Sequence, residues 1–412
     1  MGVSLHGRTL TVSYERASEM KSRINMGDLQ VGMPLRFDVF DSNDRLLLSR
    51  GNRITSEAQL GRLIKEGIFY HAASDREDAQ SDNSTRLTPD ENRVAREVSS
   101  FKILDDCSHR LDALLDRPAR TSEADSFVDE IMTLVRRVQR CCQFDGDATL
   151  AYVLLGQAPR YTVRQHMNVA ILTALMLSRM ASVRTEAALA AALTMNIGIL
   201  ALQEALYWTS DPLGQDQRAA LQQHPDMSVL ALRERGVGDP AWLEIVAQHH
   251  EALDGSGYPL GIGGVAICRE ARVIVIADRY NGMVMNRAYR SGIAPDHALQ
   301  VLARRDASAL DPEILALLIK AIGVYPPGTV VALVNKEVGV VTNRLLDLKH
   351  PIVRTFFLES HWPYDKPVKR FTSRMPQFAI AKVLPRDALK YPIEAEQLWP
   401  PSPFVESDDE GI

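Results

Sequence analysis

At 412 residues the chain exceeds one ordinary domain of roughly 100–200 residues, so two or three units are expected. Hydrophobic residues make up 46% and charged residues 24%, which excludes a wholly disordered, collagen-like or disulfide-stapled chain and leaves material for a sizeable core. The 47 Lys and Arg against 52 Asp and Glu give a formal net charge of −5, which argues against DNA or RNA binding by bulk charge and leaves only a local basic patch open.

Cys107, Cys141, Cys142 and Cys268 show no CxxC or zinc-finger spacing, and the adjacent pair reads as two reduced helix residues rather than a vicinal bridge. The first twenty residues carry Glu15, Arg16 and Glu19 and lack an apolar signal region, so the expected location is the cytoplasm. After an extension over 1–25, residues 26–71 read as a small α/β accessory domain. It comprises a strand over 34–40, a polar turn over 41–44, a second strand over 45–49 and a short helix capped by Ser56. Residues 72–92 are small or charged without apolar periodicity, which marks a linker.

Helical periodicity then dominates. Two antiparallel helices are expected over 94–115 and 127–155, in a helical region running from 93 to 160 that leads into the bundle. Further helices follow over 163–181, 185–207, 215–235 and 240–251. The run 187–202 spans about 24 Å as a helix, short of a bilayer core, and contains Asn196, so it reads as a buried helix and not a membrane span. Residues 273–276 pass for either a helix or a strand by periodicity. After Gly328 the pattern turns β-branched, predicting a hairpin over 330–334 and 338–341 and a strand over 352–358; the end, from Trp399, is expected to fray.

The chemistry concentrates in QHHEALDGSGYP at 248–259. Asp239-Pro240 starts a helix whose phase puts His249 with Trp242 and Ile245, and His250 with Leu243 and Val246, near the buried side. Gly255 and Gly257 allow a sharp turn and close approach to a ligand. Tyr258 offers an aromatic plane with a hydroxyl. Converging candidates are His166 on an apolar helix face, His224 before Pro225 just past a helical stretch, and Asp278 at the end of an apolar run. Imidazoles with one carboxylate suit Zn, Mn or Fe. Arg287 and Arg290, three apart on one side of a helix, would grip a phosphodiester. Taken singly, each has a plain alternative: a core histidine, a loop histidine, a capping aspartate, a solvated basic face.

The whole string HHEALDGSGYP resembles the signature of the HD-GYP family. The resemblance extends from Tyr161 to Val341 through HMNVA, HP at 224, ADRYN at 277, RAYR at 287 and IGVYPPGTVVAL at 322. DLQVGMPL and LLLSRG in the first unit more weakly resemble an accessory domain found before such modules. The resemblance implies a mainly α, HD-type helical bundle over 161–345, a C-terminal extension over 346–412, and a metal-dependent phosphodiesterase acting on cyclic-di-GMP. The family's His-Asp pair is Met195-Asn196 here, its lysine is Ile199, its later aspartate is Asn281, and a glutamate ligand of some members is Thr162. His224, His249, His250 and Asp278 match retained metal ligands. Tyr258, Arg287 and Arg290, with Gly255 and Gly257, match the nucleotide-binding side. Two-metal hydrolysis needs a bridging oxygen ligand, which Asn196 does not supply. Three readings stay open. One is a degenerate sensor or scaffold that binds cyclic-di-GMP, or a GGDEF-type partner, with one divalent metal or none. The second is a phosphodiesterase with a reduced site, and the third is a nucleotide-independent interaction module. The helices over 94–155 suit either homodimer contacts or signal transmission.

Overall fold

The computed structural model describes residues 21–23, 39–40, 46–48, 69–71 and 96–404, except 119–123, 182–183, 359–363, 365 and 390–393. The chain divides into two compact units, Met1–Arg93 and Val94–Ile412. In the first, four antiparallel strands lie in the order β1-β4-β2-β3: β1 (Lys21–Arg23), β2 (Val39–Phe40), β3 (Leu46–Leu48) and β4 (Phe69–His71). The two strands expected around residues 34–49 are β2 and β3, and β1 falls within the segment read as an extension. The expected 41–44 turn, the Ser56 helix and the linker lie outside the described residues.

The second unit opens with β5 (Arg96–Val98) and continues into helices: α1 (Ser100–Asp116), α2 (Ala124–Phe144), α3 (Gly146–Leu155) and α4 (Tyr161–Leu177). The bundle goes on through α5 (Thr185–Thr194), α6 (Leu200–Trp208), α7 (Gln215–Glu234) and α8 (Pro240–Gln248). It ends with α9 (Arg269–Val284), α10 (Pro295–Arg305) and α11 (Pro312–Ile322). The ambiguous run at 273–276 is inside α9, as the mainly α reading requires. Aspartates start several of these helices. Asp239 Oδ1 accepts from Ala241 N at 2.8 Å, Asp311 Oδ1 from Glu313 N at 3.0 Å, and Asp145 Oδ1 from Ala148 N at 2.9 Å.

Two helices expected to be continuous are broken. The 127–155 helix divides at Asp145, whose φ of −139° leaves the helical region while its side chain caps α3. The 185–207 helix divides after Thr194: Asn196 takes φ −107°, ψ 16°, and a short 3₁₀ turn, Ile197–Ile199, precedes α6. The cause is a contact with α7. A side chain at Gly198 would lie 2.6 Å from Ser228 N, and Gly198 N donates to Ser228 Oγ at 3.1 Å. Thr185–Trp208 is apolar enough, by length and composition, to cross a membrane. Here it is two helices, with every residue from Ala187 to Thr194 buried in the unit. His224-Pro225, expected beyond a helix end, lies inside α7.

Beyond the bundle the expected hairpin belongs to a five-stranded antiparallel sheet, ordered β10-β6-β7-β8-β9. Its strands are β6 (Val330–Leu333), β7 (Glu337–Asn343), β8 (Ile352–Leu358), β9 (Val368–Phe371) and β10 (Ile380–Val383). The last two are short and only partly buried, so they lack the apolar alternation that marks the others. The segment expected to fray is instead fastened. Residues 402–404 form β11 (Ser402–Phe404), antiparallel to β5. Trp399 is buried, stacks on Phe101 with centroids 5.7 Å apart, and donates from Nε1 to Thr342 O at 3.0 Å. Trp399→Ala is therefore expected to lower unfolding free energy by about 3–5 kcal/mol, the range for truncating a buried large aromatic, as read by the urea midpoint at constant slope.

Candidate metal and nucleotide site

Three imidazoles converge from the interior of α7 and the C-terminal end of α8. Ligand atoms of His224, His249 and His250 all lie within 4.8 Å of one another. Each of the first two rings is fixed by a backbone carbonyl, and the sequence explains why those carbonyls are available. Pro225 has no N–H, so Leu221 O lacks its usual donor four residues on. His224 Nδ1 takes that place, at 2.6 Å. Val246 O belongs to the last turn of α8, where carbonyls outrun the helical ladder, and it accepts from His249 Nδ1 at 2.6 Å.

A carbonyl only accepts, so both Nδ1 atoms carry the proton. Burial pushes the His224 ring down to about 4, and burial followed by the neighbouring His224 pushes His249 down to about 3, so both are neutral near pH 7. Their Nε2 atoms are then bare lone pairs, and these face each other 3.0 Å apart. Two ligands each about 2.0–2.1 Å from one metal ion lie about 3 Å apart when adjacent in its shell. Burial, then His249 and His224, hold His250 well below its ordinary value. The donor set therefore fits one divalent cation.

The remaining candidates are arranged differently. Asp278 is outside this three-histidine group; its Oδ1 accepts from Gln165 Nε2 at 2.7 Å, and Gln165 Oε1 accepts from Gln203 Nε2 at 2.7 Å. Burial pushes the Asp278 carboxyl up, and the Gln165 hydrogen bond opposes it. His166 is fully buried. Its Nδ1 donates to Thr162 O at 2.7 Å, and its Nε2 accepts from Asn196 N at 3.3 Å. Met195 and Asn196 are buried, and Asn196 Oδ1 has no hydrogen-bond partner. Ile199 closes the 3₁₀ turn and is half-buried. Asn281 is buried against Asn168, whose Nδ2 donates to Asn281 Oδ1 at 2.9 Å. At Thr162, Glu204 supplies a carboxylate from α6: Thr162 N donates to Glu204 Oε2 at 3.2 Å.

The nucleotide-side candidates also depart from expectation. Gly255 has φ +76°, as a sharp turn requires. Gly257, expected to let backbone approach a ligand, packs against its own chain, because a side chain there would lie 2.4 Å from Ala252 N. Tyr258, expected to offer a free plane, stacks on His250 with centroids 4.8 Å apart. Arg287 and Arg290 are not on a helix. They follow the end of α9 in a tight turn, with Arg287 N donating to Arg290 O at 2.8 Å and Arg290 N to Arg287 O at 3.2 Å. Arg290 Nη2 donates to Gly282 O at 2.8 Å, while the Arg287 guanidinium lies 5.9 Å from the Tyr161 ring centroid. Sequence reasoning missed Gln165, Gln203 and Glu251. The Glu251 Oε1 atom accepts from Leu260 N at 2.8 Å and clasps the loop. Its position directly after the two histidines was the available signal.

Residues 155–314 match the family model described as an HD domain. That stretch is an HD domain. Relatives of the chain include a cyclic di-GMP phosphodiesterase of Pseudomonas aeruginosa, 27% identical over 60% of this chain and 58% of the relative. A 3'3'-cGAMP-specific phosphodiesterase of Vibrio cholerae is 32% identical over 33% of this chain and 29% of the relative. A cyclic di-GMP phosphodiesterase response regulator of Xanthomonas campestris is 29% identical over 30% of this chain and 33% of the relative. The matches thus span little more than half of the first relative and about a third or less of the other two. An HDG"Y"P protein from Bdellovibrio bacteriovorus has a similar structure, with TM-score 0.46 and 16% identity over 73% of this chain and 98% of that one. The HD domain carries all three converging histidines.

His166 gives a pH test away from those histidines. Burial holds its ring down to about 4, against 6.5 when unfolded. Between these values the unfolded chain binds a proton that the folded chain does not, so stability falls as pH is lowered through that window. Urea midpoints between pH 7 and 4 should show this fall, with a shallower slope in His166→Gln.

Proposed function

We propose that this chain is a cyclic-di-GMP signalling protein that binds the nucleotide and hydrolyses it weakly or not at all. The observation that supports this reading is the asymmetry of the site. Three imidazole lone pairs converge at His224, His249 and His250, while the positions that match the family's His-Asp pair hold Met195 and Asn196, both buried. One divalent ion, iron, manganese or zinc, would be held by the three histidines; when bound it would polarise a phosphoryl oxygen. A second ion would lack its bridging carboxylate, since Asn196 offers a neutral amide and Asp278 is held by Gln165. Arg287 and Tyr258 would bind and orient the nucleotide: the guanidinium as a cationic grip, its Nε without a partner, and the phenol beside the histidines. Binding would serve a sensor or scaffold role, with a GGDEF-type protein or a second copy as partner.

Retained hydrolysis at a reduced site is the second reading, favoured by the activities named for the relatives. Purified protein should release heat on calorimetric titration with cyclic-di-GMP and give turnover with Mn or Fe at least about a hundredfold below an intact site, the scale for losing one transition-state donor. Brisk turnover that disappears in His249→Ala would establish the second reading instead. Absence of heat at high micromolar nucleotide would leave a nucleotide-independent interaction module. Met195→His combined with Asn196→Asp should raise metal content after anaerobic purification. Unchanged content would remove the proposed placement of residues 195–196 on the metal's open side.

A further inference from the structure

The second unit encloses a cavity of ≈ 380 Å³ between the helices and the sheet, and none of the three converging histidines lines it. Two arginines line it. Arg164, on α4, donates from Nη2 to Leu154 O at 3.5 Å, and Arg386, beyond β10, donates from Nη2 to Leu155 O at 3.0 Å. Both contacts cover carbonyls at the C-terminal end of α3, which is a structural use of one donor on each fork. A guanidinium has five donors. Arg164 Nε is buried and has no partner, and no carboxylate is among the described residues lining the cavity. Burial and then the like charge of Arg386 pull Arg164 below its ordinary value, and burial pulls Arg386 down as well. The first turn of α10 opens onto the same space, where Ala294 provides no side-chain cap. Much of the wall is apolar, including Val284 and Leu384.

We propose that this cavity binds a small organic anion, its phosphate or carboxylate head between Arg164 and Arg386 and its apolar body against Val284 and Leu384. Arg164 is half-buried and Arg386 exposed, with no carboxylate among the described lining residues, and an oxyanion offsets the like charges while using the fork's spare donors. The volume lies within the range of small-molecule sites. Asn286 and Ser291 line the cavity and bracket Arg287 and Arg290. An occupant therefore touches the turn that carries the nucleotide-side arginines, although its binding does not depend on nucleotide.

The test uses the full chain, stripped of metal with EDTA, titrated by calorimetry and followed by thermal unfolding with phenyl phosphate, benzoate and phenol. Saturable binding of phenyl phosphate or benzoate with a rise in Tm is expected, and phenol, which has no charged head, should give neither. Arg164→Gln with Arg386→Gln should weaken binding at least about tenfold. Ser291→Glu, an exposed position at the cavity, supplies a fixed carboxylate to the arginines and should block the anion while leaving the fold intact. His249→Ala should bind as the unaltered chain does. No saturable binding of either anion would overturn the proposal. So would binding undiminished in Ser291→Glu, or binding lost in His249→Ala.

Discussion

Two bare imidazole lone pairs held 3.0 Å apart repel each other unless a positive charge lies between them, and the architecture around His224 and His249 works to keep them there. The rings cannot rotate away, because Leu221 O and Val246 O each hold an Nδ1 proton. The helices cannot drift apart without breaking other close contacts. Gly198 lies against the backbone of α7, and Trp242 Nε1 on α8 donates to Thr194 Oγ1 on α5 at 2.9 Å in the buried interior. The core thus holds two lone pairs in an arrangement that would suit one shared cation. Helix ends and one interior proline supply the carbonyls, so the site is made from places where helical hydrogen bonding is incomplete.

The loop after the histidines is braced from within. Asp254 Oδ1 accepts from Ser256 N at 3.1 Å and from Ser256 Oγ at 2.5 Å, while its Oδ2 accepts from Ser308 Oγ at 3.0 Å. Glu251 holds Leu260 N, and Gly257 lies against the Glu251–Ala252 backbone. A string that looks purely chemical therefore has several structural reasons for its residues. Tyr258 adds to the bracing, since its ring stacks on His250.

Much of this was legible in the sequence for a local reason. The Asp239-Pro240 start fixed the phase of α8, and 3.6 residues per turn put His249, its C-cap, in line with Trp242 and Ile245, while half-buried His250 lies just past the helix end. The HD-domain resemblance and the mainly α fold rested on such local signals. What escaped was decided by distant partners. The apolar pattern runs unbroken through Asn196, and the helix breaks there because Gly198 meets Ser228 from another helix. Arg287 and Arg290 have helical spacing, yet α9 ends at Val284 and the chain doubles back, an approach that Gly292 permits because a side chain there would clash with Val284 O. Pro225 looked like a helix end because its missing N–H is visible in sequence, whereas the His224 ring that satisfies the freed carbonyl is visible only in three dimensions. Asn196 itself was readable directly; Gln165 holding Asp278 was not.

The pairing of β5 with β11 carries a consequence for how the chain comes into being. The strand that opens the second unit pairs with one that follows both the bundle and the five-stranded sheet in the chain, so it has no partner until the ribosome has passed both. The seat of Trp399 on Phe101 stays vacant until residue 399 has been added. Closure of this unit thus waits for β11, and a nascent chain stalled before residue 399 would leave its first strand unpaired and Phe101 uncovered.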